Sequence, residues 1–158
     1  MKAAVERVVA ALRAAGVTSE ITEFAESTRT AEQAAAAVGC TVGQIVKSLV
    51  FLADGASVLA LVSGANRLDT AKLAAATGAR ITRADADTVR AATGFSIGGV
   101  PPIAHATPLT TYLDRDLTQY EQVWAAAGTP NAVFPITPAE LERIAAAQVI
   151  DLAAEEAR

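Results

Sequence analysis

The sequence predicts a single mixed α/β domain with a largely antiparallel or mixed sheet and flanking helices. Its 158 residues are the length of one ordinary domain. Helical and strand-like segments alternate along the chain, with no linker, repeat or low-complexity segment between them. Hydrophobic residues make up 52% and aromatic residues only 4%, which indicates an aliphatic core. We therefore treat residues 1–158 as one domain.

The first half of the chain predicts two helices and a hairpin. Apolar residues at helical spacing before Gly16 indicate a first helix. Thr30 followed by Gln33 fits a capping box, which predicts a second helix that Gly39 ends. Two β-rich runs flank Asp54-Gly55, a dipeptide typical of hairpin turns. The expected elements are a helix ending near residue 15, a strand at 21–24, a helix at 31–38, and strands at 45–52 and 58–62.

The second half adds short helices and strands around one long loop. Asp69 or Thr70 can cap a helix that Gly78 closes, and another short helix ends at Gly94. Residues 94–109 are rich in turn formers and too apolar for a simple connector, which is typical of a functional loop. The remaining expected elements are helices from 69 or 70 to 76, at 86–92 and from 137 or 138 to 146, and strands at 81–82, 122–126, 132–135 and 149–152.

The charge distribution argues against a large basic surface for nucleic acid. The formal net charge is −4, whereas nonspecific affinity for nucleic acid comes mainly from neutralised phosphates. Residues 67–90 nevertheless carry five bases against three acids, a local charge of +2, while residues 114–158 carry −5. A local phosphate contact within 67–90 stays open, although we favour a solvated helix face as the explanation.

Membrane insertion, disulfides and resident cofactors are not expected. The longest uncharged stretch, residues 91–113, contains prolines and glycines that prevent a regular spanning helix, and the N-terminus lacks the apolar core of a secretion signal. We therefore expect a cytoplasmic protein. One cysteine, Cys40, and one histidine, His105, do not provide a zinc site, and the glycine motifs of nucleotide-binding proteins are lacking.

Lys47 is the most informative single residue. In the expected strand it shares a face with Ile45, Leu49 and Phe51. An ammonium there must reach solvent or a polar cavity, because desolvating an unpaired charge is costly. An edge-strand lysine that discourages aggregation is the competing explanation, and the pattern alone leaves both open.

A second feature is the loop Gly94-Phe95-Ser96-Ile97-Gly98-Gly99-Val100-Pro101-Pro102. Glycines allow close approach of a ligand and leave backbone amides able to point at an oxygen, while prolines hold the loop in shape. Such a loop can cradle an oxyanion or a phosphate. An ordinary turn explains the same composition.

Together, Ile-Val-Lys-Ser-Leu and a Gly-x-x-x-Pro segment about fifty residues later resemble the YbaK/ProX/EbsC family of aminoacyl-tRNA deacylases. The resemblance covers roughly residues 20–152 and implies the YbaK-type editing fold of the domain associated with prolyl-tRNA synthetase. It implies that Lys47 is the key active-site residue and that the loop from Gly98 through Pro102 lines the aminoacyl pocket. As catalytic groups we expect Lys47 and the backbone of Gly98, Gly99 and Val100. The substrate-binding residues expected on the same basis are Ser48, Ile97, Pro101, Pro102, Gly128, Thr129 and Asn131.

The family pattern is looser after Gly128. Members place different polar residues in the pocket from this turn, and here the candidates are Asn131 and Thr129. A simple turn asparagine explains Asn131 equally well.

The implied function is trans-editing, the hydrolysis of a mischarged transfer RNA carrying a small amino acid, of the Cys-tRNA(Pro) or Ala-tRNA(Pro) type. A pocket that excludes the larger correct amino acid would supply selectivity. Backbone amides of Gly98 to Val100 would meet the developing oxyanion while Lys47 holds the ester or a neighbouring phosphate, and the nucleophile would be water or a substrate group. The expected partners are the acceptor end of the transfer RNA and an aminoacyl-tRNA synthetase, and a homodimer is left open.

Two other classes of function compete. One is a noncatalytic module that binds aminoacyl-tRNA or amino acids, and the other is a structural subunit that docks a synthetase through an exposed apolar stripe.

Three further polar residues are not expected to take part in catalysis. We expect Cys40 to be structural and His105 not to be a general base, and we expect Asp114 either to order a loop or to be a surface charge. A side chain at Gly99 should close the approach to the ester, so Gly99→Val should lower turnover ~100-fold while stability falls less.

Overall fold

The computed structural model describes residues 2–25 and 30–155. The predicted single domain is therefore described except at residues 1, 26–29 and 156–158. The described residues form five α-helices, α1 (Ala3–Ala14), α2 (Ala31–Val38), α3 (Thr70–Thr77), α4 (Ala86–Thr93) and α5 (Pro138–Ala145). They also form eight strands, β1 (Thr22–Glu23), β2 (Val46–Ala53), β3 (Ala56–Ser63), β4 (Ile81–Arg83), β5 (Thr110–Asp114), β6 (Val123–Ala126), β7 (Ala132–Ile136) and β8 (Gln148–Ile150).

The strands form two sheets, which confirms the mixed α/β class. The larger sheet has the order β4-β2-β3-β5-β8, and the smaller has the order β1-β7-β6. Pairing is antiparallel for β2 with β3 and β4 and throughout the smaller sheet, whereas β5 runs parallel to both β3 and β8. A parallel bridge between Ile45 and Trp124 joins the two sheets beside β2 and β6.

Local sequence signals set several boundaries as expected. The Thr30 side chain accepts from the Gln33 N–H and the Gln33 side chain accepts from the Thr30 N–H, so the capping box that starts α2 is confirmed. Asp54 and Gly55 both have positive φ (48° and 86°), as a two-residue hairpin turn between β2 and β3 requires. For α3, the structure selects Asp69 as the cap, because its carboxylate accepts from the Ala71 N–H.

No strand is predicted at the position of β5, and β8 lies slightly earlier in the chain than the predicted strand at 149–152. β5 follows the proline-rich loop directly and is only five residues long, so no turn signal separated it from that loop. The last strand, β8, ends at Ile150 because it pairs with β5 only through Gln148, Val149 and Ile150. Both errors concern parallel pairing between segments distant in sequence, which local patterns do not reveal.

The larger sheet is covered on both faces. On one face, α1 contributes Val5, Val8 and Leu12 to a core shared with Leu59 of β3 and Phe134 of the smaller sheet. On the other face, a second cluster forms where Leu73 of α3 packs against β3 and β5. No helix within residues 2–25 and 30–155 is long and apolar enough to cross a membrane.

One edge of β2 is left open over half its length. β4 pairs only with the last three residues of β2, from Phe51 to Ala53, and the bridge to β6 involves Ile45. Over residues 46–50, no described strand is hydrogen-bonded to this edge. The fold therefore leaves a segment of sheet backbone next to Lys47 without a partner strand.

Candidate active site

Two adjacent cavities lie along the open edge of β2. The small cavity has a volume of about 270 Å³ and the large cavity about 510 Å³. They share a wall that includes Lys47, Ser48, Leu49, Ile97 and Val100. The strand residues and the loop expected from the sequence thus border the same space.

Lys47 is half-buried in this shared wall. Its Nζ donates a short hydrogen bond to the backbone carbonyl of Asn66, in the turn that follows β3. Burial lowers the pKa of the Lys47 ammonium, and the carboxylates of Glu32 and Asp114 act in the opposite direction. Because one ammonium proton is directed to Asn66, the other two can serve a ligand.

A buried carboxylate fixes the turn that holds Lys47. Asp114 ends β5 with no exposed surface, so its interpretation as a surface charge is wrong. Its Oδ2 accepts from the Ser63 N–H at 3.0 Å and from the Asn66 side-chain amide at 2.9 Å. Its Oδ1 accepts from the Asp116 N–H at 2.9 Å. These bonds satisfy the carboxylate and hold Asn66 in position, as expected for an ordering role.

Ser48 carries a polar atom without a partner in the wall between the cavities. Its Oγ is buried, and no described residue forms a hydrogen bond with it. A buried hydroxyl normally has a partner, because an unsatisfied one costs ~1–3 kcal/mol. Ser48 thus differs from the other buried polar side chains in lacking a partner among the described residues.

The glycine-rich loop is anchored at both ends. Phe95 is buried, and the Arg7 guanidinium lies over its ring, 4.4 Å from the ring centroid. Arg7 also donates to the Gly94 carbonyl at 2.9 Å. His105 Nε2 lies 2.7 Å from the Pro101 carbonyl and donates to it in the tautomer that carries the proton on Nε2. Between these anchors, Ile97 is 60% exposed although it is apolar, and it borders both cavities.

The backbone hydrogen bonds of the loop reduce the number of amides that could stabilise an oxyanion. The Gly99 N–H donates to the Ser96 carbonyl at 3.0 Å and closes a tight turn in which Gly98 has a φ of 91°. The Gly99 amide is therefore already hydrogen-bonded and is not available to an oxyanion. No backbone hydrogen bond among the described residues uses the N–H of Gly98 or Val100, so these two amides are the candidates that remain.

The space beside Gly99 faces the Gly128–Thr129 turn, whereas the sequence predicted that it faces the ester. A Cβ placed at Gly99 would lie 2.8 Å from Thr129 Cα and 2.9 Å from the Gly128 carbonyl oxygen. The missing side chain thus makes room for the neighbouring turn rather than for the ester. The premise that Gly99→Val would mainly block the ligand is wrong.

The structure brings six of the eleven expected site residues to the small cavity. Lys47, Ser48, Ile97, Gly98, Val100 and Thr129 line it. Gly99, Pro101, Pro102, Gly128 and Asn131 do not appear in its lining.

Asn131 forms hydrogen bonds within the fold and does not line the small cavity. Its amide donates to the Phe24 carbonyl at 2.9 Å, and its side-chain oxygen accepts from the Thr129 hydroxyl at 2.9 Å. These bonds tie the end of β1 to the turn before β7. Thr129, the alternative from the same turn, is the residue that borders the small cavity.

Several residues of the small cavity were not singled out from the sequence. They include Thr30, Ala31 and Ala34 from the start of α2, and Trp124 from β6. The chain's one tryptophan, on a strand beside a proposed site strand, was the signal that could have pointed to β6. The three residues of α2 offered no chemical signal, because they are small or act as a helix cap.

Cys40 and His105 lie outside both cavity linings. Burial raises the pKa of the Cys40 thiol, which disfavours the nucleophilic thiolate. Burial lowers the pKa of His105, against the opposing effect of its hydrogen bond to Pro101, so its neutral form is favoured. Among the described residues, no three His, Cys, Asp or Glu side chains converge as a metal site would require.

The family follows from a match that covers most of the chain. The family model of the aminoacyl-tRNA editing domain matches residues 25–144. The chain therefore belongs to the aminoacyl-tRNA editing domain family, and the resemblance inferred from the Lys47 strand and the glycine loop is confirmed.

Relatives agree with this assignment. A solved structure described as a candidate trans-editing enzyme for prolyl-tRNA synthetase has a TM-score of 0.94 and 50% identity, covering 98% of this chain and 99% of that one. The uncharacterized protein YwhH of Bacillus subtilis is 33% identical over 83% of this chain and 84% of its own length. A proline–tRNA ligase of Solidesulfovibrio magneticus is 34% identical over 56% of this chain, a stretch that makes up only 15% of the ligase.

The packing at Gly99 generates a first prediction. Gly99→Val should lower the free energy of unfolding by ~2 kcal/mol, because the new side chain meets backbone of the Gly128–Thr129 turn. Any activity of the site should decline together with stability. Thermal unfolding and turnover measured on one sample test this, and a fully stable, fully active Gly99→Val protein would contradict it.

The lowered pKa of His105 generates a second prediction. Since the unfolded chain binds the proton more tightly, protonation favours unfolding, and stability should fall as pH drops through the ordinary histidine pKa of 6.5. Urea denaturation at about pH 7.5 and about pH 6 brackets this step while carboxylates stay ionised. His105→Gln should flatten the dependence, since the chain has one histidine. An equally steep dependence in the variant would rule out His105 as the cause.

Proposed function

We propose that this chain is a trans-editing deacylase that hydrolyses the ester of a mischarged transfer RNA carrying a small amino acid, of the Cys-tRNA(Pro) or Ala-tRNA(Pro) type. The observation that carries the proposal is the half-buried Lys47 in the wall of a small cavity that the glycine-rich loop also lines through Ile97, Gly98 and Val100. The family assignment supplies the class of substrate.

Lys47 acts in its charged form. Its contact with the Asn66 carbonyl orients the ammonium, and the remaining two protons are available for the ester oxygen or the adjacent phosphate of the RNA. Asp114 lies close enough to favour the positive charge electrostatically, which opposes the effect of burial. In this proposal Lys47 contributes to the reaction as an electrostatic group.

The loop supplies the second half of the site. Hydrolysis of an ester places negative charge on its carbonyl oxygen in the transition state, and backbone N–H groups stabilise such charge when they are held in place. The amides of Gly98 and Val100 are suited to this, because the loop is fixed by the buried Phe95 and Val100 side chains. The attacking group is water or a hydroxyl or thiol of the substrate itself.

The size of the small cavity supports selectivity for a small amino acid. Its walls are mostly aliphatic, with Ala31 and Ala34 on one side and Val133 on another. A volume of about 270 Å³ lies below the usual range for drug-sized ligands and accommodates a small amino acid together with its ester. Discrimination by exclusion in such a pocket reaches ~10–200-fold per methylene.

The direct test is deacylation across a panel of mischarged transfer RNAs. Wild-type protein should release alanine or cysteine from transfer RNA for proline and leave the correctly charged prolyl ester intact. Lys47→Ala should lower kcat/KM by ~100-fold or more, as expected for loss of a charge that stabilises the transition state. Arg13→Ala, which also removes one positive charge but lies outside both cavities, should be unchanged.

The same experiment separates the competing functions. A noncatalytic binding module would retain affinity for the charged RNA without turnover, and Lys47→Ala would then change binding alone. An inactive wild-type protein on every member of the panel would overturn the deacylase proposal.

Ser48 gives a test with opposite effects on activity and stability. Ser48→Ala should leave the thermal midpoint unchanged or raise it, because it removes a buried hydroxyl that no described residue satisfies. Its kcat/KM should fall ~10-fold if the hydroxyl hydrogen-bonds the substrate. Ser57→Ala, in the adjacent strand and outside both cavities, is the matched control. Unchanged kcat/KM in a stable Ser48→Ala protein would remove Ser48 from the site.

A further inference from the structure

A further cavity, separate from the two that Lys47 lines, has a basic lining. It is a depression of about 310 Å³ at the start of α1. Lys2, Arg7 and Arg90 line it, and no carboxylate does. We call this cavity the basic depression. In a chain with a net charge of −4, three cations around one depression attract an anion.

The three basic side chains are exposed and are not neutralised by acids. Among the described residues, no carboxylate forms an ion pair with Lys2, Arg7 or Arg90. The acids closest to them in the sequence, Glu6 and Asp87, do not line the depression. The positive charges are therefore available to an anion from solution.

Each of the two arginines is held by one side of its guanidinium. Arg7 donates to the Gly94 carbonyl and lies over the Phe95 ring. Arg90, on α4, donates a short hydrogen bond to the Ser96 hydroxyl. A guanidinium has five N–H donors, so each arginine keeps donors for a further acceptor. An arginine held in this way is preorganised to bind the paired oxygens of a phosphate.

The basic depression adjoins the proposed active site through the glycine-rich loop. Phe95 and Ser96 line the depression, and Ile97 and Gly98, which follow them in the chain, line the small cavity. Thr129 lines both cavities. A polymer whose end occupies the small cavity can therefore extend across this loop to the three cations.

We propose that the basic depression binds backbone phosphates of the RNA whose ester is hydrolysed beside Lys47. Phosphate contacts of this kind position the polymer and add affinity that depends on salt, but they carry no sequence information. RNA is favoured over an acidic protein segment because the depression adjoins a site proposed for an RNA end. The identity of the polymer rests on the proposed function, whereas the anion site rests on the three basic side chains alone.

Binding of an uncharged RNA hairpin that ends in CCA tests the depression without hydrolysis. In fluorescence anisotropy over a series of salt concentrations, Arg90→Gln should raise the Kd ~5-fold. It should also reduce the slope of log affinity against log salt by ~1, because one phosphate contact is lost. Arg90→Lys, which keeps the charge, should retain the slope. Arg13→Gln removes the same charge from the last turn of α1, outside the depression, and should behave as wild type.

Lys2→Gln provides a second variant that leaves the glycine-rich loop intact. The Lys2 side chain does not cap α1, so its loss should leave the thermal midpoint unchanged. The Kd for the hairpin and the salt slope should nevertheless change in the same direction as in Arg90→Gln. Hairpin affinity and salt slope equal to those of wild type in both variants would overturn the proposal.

A substrate without phosphate separates RNA binding from an indirect effect on the active site. Adenosine esterified with alanine carries the reacting ester but no phosphate. Arg90→Gln should raise KM for the alanyl hairpin ~5-fold with kcat unchanged, and should leave kcat/KM for alanyl adenosine as in wild type. An equal loss of kcat/KM on both substrates would show that Arg90 only supports the loop, which would overturn the site.

Two further binding results count against RNA at this position. Equal effects of Arg90→Gln and Arg13→Gln would show a general effect of net charge and overturn the depression as a site. Polyglutamate that binds as tightly as the hairpin, with the same dependence on Arg90, would assign the depression to an acidic protein segment and overturn the proposal.

These outcomes remain distinct from those of the deacylation test. Hairpin binding that depends on Lys2 and Arg90, with no release of amino acid from any charged RNA, would support the depression and overturn the deacylase. Deacylation by a protein whose hairpin affinity ignores both residues would do the reverse.

Discussion

The buried carboxylate of Asp114 is the constraint on which the site depends. A charge with no exposed surface must be fully hydrogen-bonded, because leaving it unpaired would cost several kcal/mol. The chain turns at the end of β3, so that the N–H of Ser63, the last residue of β3, and the side chain of Asn66 both donate to Asp114. As a result the Asn66 carbonyl lies where it can accept from Lys47. The position of the ammonium thus follows from a hydrogen-bonding requirement of the core.

A second constraint is the close contact between the glycine loop and the turn after β6. Gly99 leaves room for the backbone of Thr129, while Gly128, with a φ of 104°, leaves room for the Ala4 carbonyl at the start of α1. Two residues without side chains therefore allow α1, the turn and the loop to pack in succession. This stacking places Gly98 and Val100 in the lining of the small cavity, which β2 also borders, so the glycines act on the site mainly through packing. Of Gly98, Gly99 and Gly128, only Gly98 lines the small cavity.

Elements whose signals are local in the sequence are the ones that could be predicted. The α2 capping box, the Asp54-Gly55 turn and the glycines that end α2, α3 and α4 are read from a few adjacent residues, and the structure contains all of them. β5 was missed because its parallel partners lie far away in the sequence and its buried residues have no alternation.

The same distinction applies to the candidate site. Lys47 and the glycine loop could be recognised because a motif carries them. Asn66 and Asp114 could not be paired from the sequence, since they lie 48 residues apart and meet only through the parallel contact of β3 with β5. Likewise, the use of the Gly99 amide by Ser96 is a property of the folded turn, and composition indicated only that the loop could offer amides.

The arrangement also explains how such a site can work with few catalytic side chains. The one histidine contributes its Nε2 to the Pro101 carbonyl and supports the loop, and burial keeps the Cys40 thiol protonated. The groups that remain at the shared wall are an ammonium, a hydroxyl and backbone amides, none of which is a strong base at neutral pH. An aminoacyl ester is already activated, so positioning the ester and stabilising charge in its transition state are the main requirements. The site therefore favours a mechanism in which water or the substrate provides the nucleophile and the protein provides a fixed electrostatic environment.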